Sequence, residues 1–157
     1  MKRRSSGIIL FRGKVIADIE FLMLQNTKRG WGPPKGHNTV GEDDETAAKR
    51  EVLEETGYDS DDYTIIPGFA CEVRYKTHKD KAVCFFLGEV ISIYAPIRLS
   101  HEHSDYAWLK LSDVCARLDD GHTETRRAML QAVEFLRKSG KYEDNASSNI
   151  GDVKRVE

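Results

Sequence analysis

The chain has 157 residues, 39% hydrophobic and 32% charged, with a formal net charge of −2. That size and balance suit one domain with a buried core, and without an overall positive field there is no general attraction to nucleic acid or anionic membranes. No apolar run reaches the ~20 residues that span a bilayer, and Ile8–Phe11, after the basic start Met1–Gly7, is too short for a signal-peptide core. The expected location is therefore the cytoplasm, and the expected state a monomer. Cys71, Cys84 and Cys115 are an odd set without paired metal spacing, which points to reduced, mostly buried thiols.

In chain order, Ile8–Phe11 reads as a buried strand, Arg12-Gly13-Lys14 as a turn and Phe21–Leu24 as a second strand. Asn26–Gly36 is expected to be a loop, because it holds Gly30, Gly32, Pro33, Pro34 and Gly36; the prolines stiffen the approach to Gly36. The clearest helix is predicted from about Asp44 to Thr56, rich in helix formers and acidic at its start, with Gly57 placed to end it. Ala48, Val52 and Leu53 are its expected buried stripe. Segments 63–75, 82–91 and 105–109 read as strands, and Lys76–Lys81 as a charged, hairpin-like connection. A second helix is predicted over Thr123–Arg137, with Met129, Val133 and Leu136 on one face. Residues 139–157 read as a polar, disordered tail, leaving 1–138 as the domain. Strands before and after a helix, with a further helix at the end, indicate a mixed α/β or α+β sandwich.

The chemistry is concentrated in Gly36–Glu42 and Arg50–Tyr58. On a helix, positions three and four apart share a face, so Glu51, Glu54 and Glu55 gather their carboxylates on one patch. Such like charges repel unless a positive group intervenes. Arg50, four residues before Glu54, can pair with one carboxylate, and a hard divalent cation could take the others through oxygen ligands. The glycine elbow would let a backbone carbonyl, that of Gly36, approach the ion. Taken alone, E-x-x-E-E is usually a solvated helix face.

The wider spacing is far more specific. Gly36, Glu42, Arg50, Glu51, Glu54, Glu55 and Gly57, with Val52 and Tyr58 in the apolar slots, reproduce G-x5-E-x7-R-E-U-x-E-E-x-G-U, where U is apolar. On these residues the chain resembles the Nudix family along most of residues 5–138. The resemblance implies an α+β fold of the α/β/α type, with a mixed β-sheet between helices and the signature as a loop–helix–loop. It implies magnesium or manganese held by Glu51, Glu54, Glu55 and the Gly36 carbonyl, with Glu42 and Arg50 orienting the ligands. The implied reaction is attack of water on a phosphorus of a nucleoside diphosphate derivative.

Flanking residues resemble one branch of that family. Trp31-Gly32-Pro33-Pro34-Lys35-Gly36-His37 with Gly41-Glu42-Asp43, then Glu20–Gln25, and Leu99–His103 followed by Trp108 are similar to animal and archaeal enzymes that split diadenosine tetraphosphate asymmetrically into ATP and AMP. By that resemblance Glu102 approaches the metal or activates water, alongside Glu54, Glu55 and Arg50. Tyr75 stacks on a nucleobase, and Lys79 and Lys81 bind polyphosphate. Lys35 and Trp31 complete the substrate-binding set. Stacking would contribute about 1–3 kcal/mol per base. Alone, Tyr75 reads as sheet packing and the lysines as solvated turn residues. His101 and His103 alternate, so an extended segment would send only one of them inward. The chain departs from that branch in its shorter Asn26–Gly30 segment, at His122 in place of an aromatic, and in Asp80 between Lys79 and Lys81 in place of a proline. These departures bear on the substrate and leave the metal pattern intact.

Two other functions fit the sequence. One is a Nudix pyrophosphohydrolase acting on RNA 5′ ends, nucleoside triphosphates or nucleotide sugars; Trp31 before a proline is shared with RNA 5′-pyrophosphohydrolases. The other is a non-catalytic nucleotide-binding module, which would be expected to lack a metal glutamate, and none is missing. The expected partner is a small nucleotide, with no membrane and no nucleic acid beyond a possible RNA 5′ end.

Overall fold

The computed structural model describes residues 3–75, 81–118 and 122–144. Strand β1 (Arg3–Arg12) carries Ile8 and Leu10 on one face and Ile9 and Phe11 on the other, all essentially removed from water. A strand apolar on both faces has to lie inside a covered sheet. It runs parallel to β7 (Lys81–Val90) in register from Arg3 opposite Lys81 to Phe11 opposite Glu89. On its other edge it pairs antiparallel with β2 (Glu20–Asn26) near its end and with β4 (Lys35–His37) near its start. Short β3 (Gly30–Gly32) and longer β8 (His103–Lys110) pair with β2. Strands β5 (Tyr63–Ile65) and β6 (Cys71–Arg74) pair with β7, completing a mixed sheet of eight strands.

Helix α1 (Asp44–Thr56) covers one face, with Ala48 and Val52 packed among Ile8, Leu10, Leu22 and Leu24. Helices α2 (Leu111–Arg117) and α3 (Thr123–Ser139) cover the other, where Val114, Met129 and Leu136 meet Phe11, Met23 and Phe85. The result is the expected α/β/α sandwich. No helix among the described residues is long and apolar enough to cross a membrane.

Helix α1 has the predicted bounds because both ends are capped. The Asp43 carboxylate accepts from Thr46 N at 2.8 Å, and Gly57, at φ +81°, donates to the Leu53 carbonyl at 3.0 Å. The expected stripe needs one correction: Leu53 is half exposed, and Glu51 and Glu55 are buried beside Ala48 and Val52. The predicted loop 26–36 contains β3 and β4, each three residues long. The predicted strand 63–75 breaks into β5 and β6 around Pro67-Gly68, where Gly68 takes φ +91°. Helix α2 had no sequence expectation. Of the connection expected over Lys76–Lys81, residues 76–80 lie outside the described residues, as do residues 145–157 of the tail. Residues 140–144 fold back on the sheet: the Tyr142 hydroxyl donates to Glu89 at 2.6 Å, and Glu143 N donates to the Lys14 carbonyl at 2.9 Å. The three cysteines are free thiols, Cys71 and Cys84 buried and Cys115 partly so.

The segment joining β4 to α1 is anchored to β1 from several sides. Arg4 grips both Asp44 oxygens at 2.7 and 2.6 Å, and Ser6 donates to Asn38, which donates to Asp44 at 2.9 Å. Gly7 lies opposite Lys35, and a Cβ there would collide with the Pro34 carbonyl and the Lys35 side chain. Gly7→Ala is therefore expected to cost about 1–3 kcal/mol, the range for overpacking a tight interior. Urea denaturation measures it, and an unchanged midpoint would show that the 33–37 segment has slack.

Candidate active site

The inner side of α1 carries, turn by turn, small apolar residues and carboxylates. The Glu51 and Glu55 side chains are 11% and 8% exposed, whereas Glu54 is 54% exposed. Arg50 holds this group in order. Its Nε and Nη2 donate to the two Glu42 oxygens at 2.8 and 2.9 Å, and Nη1 donates to Glu51 at 2.8 Å and Glu54 at 3.2 Å. Nη2 also reaches the His37 carbonyl at 2.9 Å, joining the loop to the helix. Glu42 accepts in addition from Thr39 N at 2.7 Å, and these bonds, those from Arg50 foremost, hold its carboxyl down at about 2.

Glu51 lies directly against Gly36, where a Cβ would fall within the carboxyl group. Lys35 N donates to Glu55 Oε1 at 3.0 Å. His103 Nε2 stands 3.9 Å from the same Glu55 oxygen, and its Nδ1 shares a hydrogen bond with Ser100 Oγ at 3.1 Å. Burial is the main force raising Glu55 to about 8; repulsion from Glu51 and Glu102 adds to it, and the Lys35 backbone bond opposes it. Burial likewise raises Glu51 against the pull of Arg50. Burial lowers Lys35 to about 8, helped by Arg29 and Lys81, and keeps His103 below the usual imidazole value.

These groups face a cleft of about 840 Å³, a usual size for a ligand pocket. The α1 wall presents Glu51, Glu54 and Glu55, and Glu102 lines the cleft from the turn before β8; Arg29, Lys35 and Lys81 supply positive charge to the same space. Trp31 and Tyr75 also line it, with the Arg117 guanidinium 4.7 Å from the Trp31 ring centre and Lys81 Nζ 5.7 Å from that of Tyr75. The fold thus gathers Gly36, the helical glutamates, Glu102, Lys35, Lys81, Trp31 and Tyr75. Glu42 and Arg50 stand behind the wall and reach the site through Glu51 and Glu54. Lys79 lies outside the described residues.

Arg29 and His103 are among the cleft residues that the sequence does not single out. Arg29 had no motif to mark it. His103 was weighed only on alternation along an extended segment, but residues 101 and 102 form a turn, so His101, Glu102 and His103 all border the cleft.

A divalent cation fits this donor set. The carboxylates are hard oxygen donors whose charge Arg50 only partly offsets, and the bare Gly36 backbone lies against Glu51. Among the described residues no three acidic, histidine or cysteine side chains already enclose one point at ligand spacing; Arg50 draws Glu51 and Glu54 to itself.

Fold and site together define a Nudix domain. The family model described as NUDIX domain matches residues 1–133, and the chain belongs to this family and is a Nudix hydrolase. Members of the family generally use a divalent metal ion. Among named relatives, the asymmetrical bis(5′-nucleosyl)-tetraphosphatases of Mus musculus and Sus scrofa are each 41% identical, over 78% of this chain and 95% of theirs. A solved Caenorhabditis elegans Ap4A hydrolase binary complex superposes with a TM-score of 0.77 at 31% identity, covering 87% of this chain and 98% of that one.

The raised Glu55 carboxyl gives a signed pH dependence. Its value in the fold, about 8, exceeds the ordinary 4.5, so between those values the folded protein binds more protons than the unfolded chain. The stability it contributes is fully present below 4.5 and lost as pH rises through 8. In chelator, the melting temperature of the wild type is expected to fall more from pH 5 to pH 8.5 than that of Glu55→Gln. Parallel curves for the two would contradict the assignment.

Proposed function

We propose that the protein hydrolyses diadenosine tetraphosphate asymmetrically, giving ATP and AMP, with magnesium or manganese held by Glu51, Glu54, Glu55 and the Gly36 carbonyl. The observation that supports it most is a single cleft lined by carboxylates on a helix, by cations with no carboxylate partner among the described residues, and by two aromatic rings. The similarity to named tetraphosphatases supports the choice of substrate.

When bound, the cation would offset the carboxylate charge and polarise phosphate oxygens and water. Lys35 and Lys81, with Lys79 from the adjoining segment, meet the phosphate chain as compact charges. Tyr75 and Trp31 offer flat faces to a base. Water attacks phosphorus, the bridging P–O bond breaks, and the water proton passes to a carboxylate of the Glu54, Glu55 and Glu102 group. Arg50, braced by Glu42, keeps Glu51 and Glu54 oriented for this work.

The test is turnover of diadenosine tetraphosphate with magnesium in ¹⁸O-labelled water, with both products identified. Label on AMP or ATP phosphate is expected. Untouched substrate, alongside cleavage of triphosphate-capped RNA, nucleoside triphosphates or nucleotide sugars, would replace the substrate assignment. Glu55→Gln is expected to lower turnover by orders of magnitude while the circular dichroism spectrum stays native; undiminished turnover would remove Glu55 from the metal set.

A further inference from the structure

We propose that Arg29 is a specificity-determining residue that binds the outer part of a polyphosphate chain and selects substrates by how many phosphates they carry. The proposal deepens the function proposed above and rests on it for the natural substrate only.

Arg29 is held in place by its backbone. Asn26 pairs with Gly30 across the β2–β3 hairpin, so the loop is only Thr27, Lys28 and Arg29. Asn26 Oδ1 accepts from Lys28 N at 2.8 Å and from Arg29 N at 3.1 Å, and Gly30 closes the turn at φ +79°. Thr27 N donates to the Glu102 carbonyl at 3.4 Å, which ties this loop to the segment bearing the Glu102 carboxylate. A longer loop could sway; this one presents the Arg29 guanidinium to the cleft.

The charge of that guanidinium is unmet. Arg4, Arg12, Arg50, Arg74 and Arg137 each pair with a carboxylate. Among the described residues none pairs with Arg29, nor with Lys35 or Lys81, which line the same cleft. Arg29 also helps push the Lys81 ammonium below its ordinary value, so the two charges feel each other. Cations that share a space and repel each other are relieved by a polyanion. Depth then sets the count. Lys35 is recessed beside Glu55, whereas Arg29 is exposed at the mouth. A short phosphate chain seated at the carboxylates ends before the mouth; a longer one reaches Arg29, whose fork suits two phosphate oxygens at once.

The test compares wild type, Arg29→Ala and Arg29→Lys in calorimetric binding of inorganic tripolyphosphate, pyrophosphate and AMP, all with magnesium. The expected result is about a tenfold loss of tripolyphosphate affinity in Arg29→Ala, a smaller salt dependence, and partial retention in Arg29→Lys, since a charge-assisted contact is removed. Pyrophosphate and AMP should bind as before, with the melting temperature unchanged. On diadenosine tetraphosphate, KM should rise with kcat nearly constant. Undiminished tripolyphosphate binding overturns the proposal, and so does an equal loss for all three ligands, which would mean a structural role. If the tetraphosphate is not cleaved but tripolyphosphate affinity still falls, the substrate assignment fails and the role of Arg29 stands.

Discussion

Glu51 and Glu55 lie one turn apart on α1, nearly stripped of water, and electrostatics alone would drive them apart or protonate them. Removing a carboxylate from solvent is costly unless it is paired or hydrogen-bonded. The chain supplies that compensation unevenly. Arg50 serves Glu42, Glu51, Glu54 and the His37 carbonyl at once, a use of the guanidinium fork that lysine could not reproduce. Among the described residues Glu55 receives only the Lys35 N–H and a distant imidazole, and its carboxyl rises to about 8. Its ionisation is therefore left incompletely compensated, and a hard cation at the cleft surface could take the place of the proton.

Much of the fold serves to keep that imbalance in place. Gly7 and Gly36 are opposed by close neighbours rather than by turns: one lets the Pro34–Lys35 backbone lie against β1, the other lets Glu51 lie against the loop. Arg4, Asn38 and Asp44 fasten the start of α1 to the same strand. Strand β1, buried on both faces, is the rigid reference for all of them. Strained or repelling groups are tolerated at sites because the surrounding structure over-determines them.

Helix α1 was legible in the sequence to its last residue, because caps and helix formers agree. Its buried stripe was not, and the reason is chemical: the inward positions that a packing pattern would fill with apolar residues hold Glu51 and Glu55, while Leu53 faces out. A rule built on amphipathicity fails where the buried side chains are carboxylates lining a cleft. Strands β3 and β4 were hidden because three residues that include glycine, on either side of Pro33-Pro34, carry no periodicity, and β4 gains its partner from distant β1. Helix α2 is short and has no side-chain cap at its start. The glutamates of the site were visible through their spacing. Arg29 and His103 were not, since their meaning comes from the turn that bends each one into the cleft.

The net charge of −2 says nothing of how that charge is arranged. A global basic field would have drawn any polyanion to the surface, whereas here Arg29, Lys35 and Lys81 line the same cleft as the glutamates. Screening limits such fields to about 8 Å at physiological salt, so only a polyanion already at the cleft experiences them. There exposed Arg29, Lys81 beside Tyr75 and recessed Lys35 share one space with the carboxylates. Attraction and repulsion thus share one cleft, and a cation bound at the carboxylates would turn that repulsion into affinity.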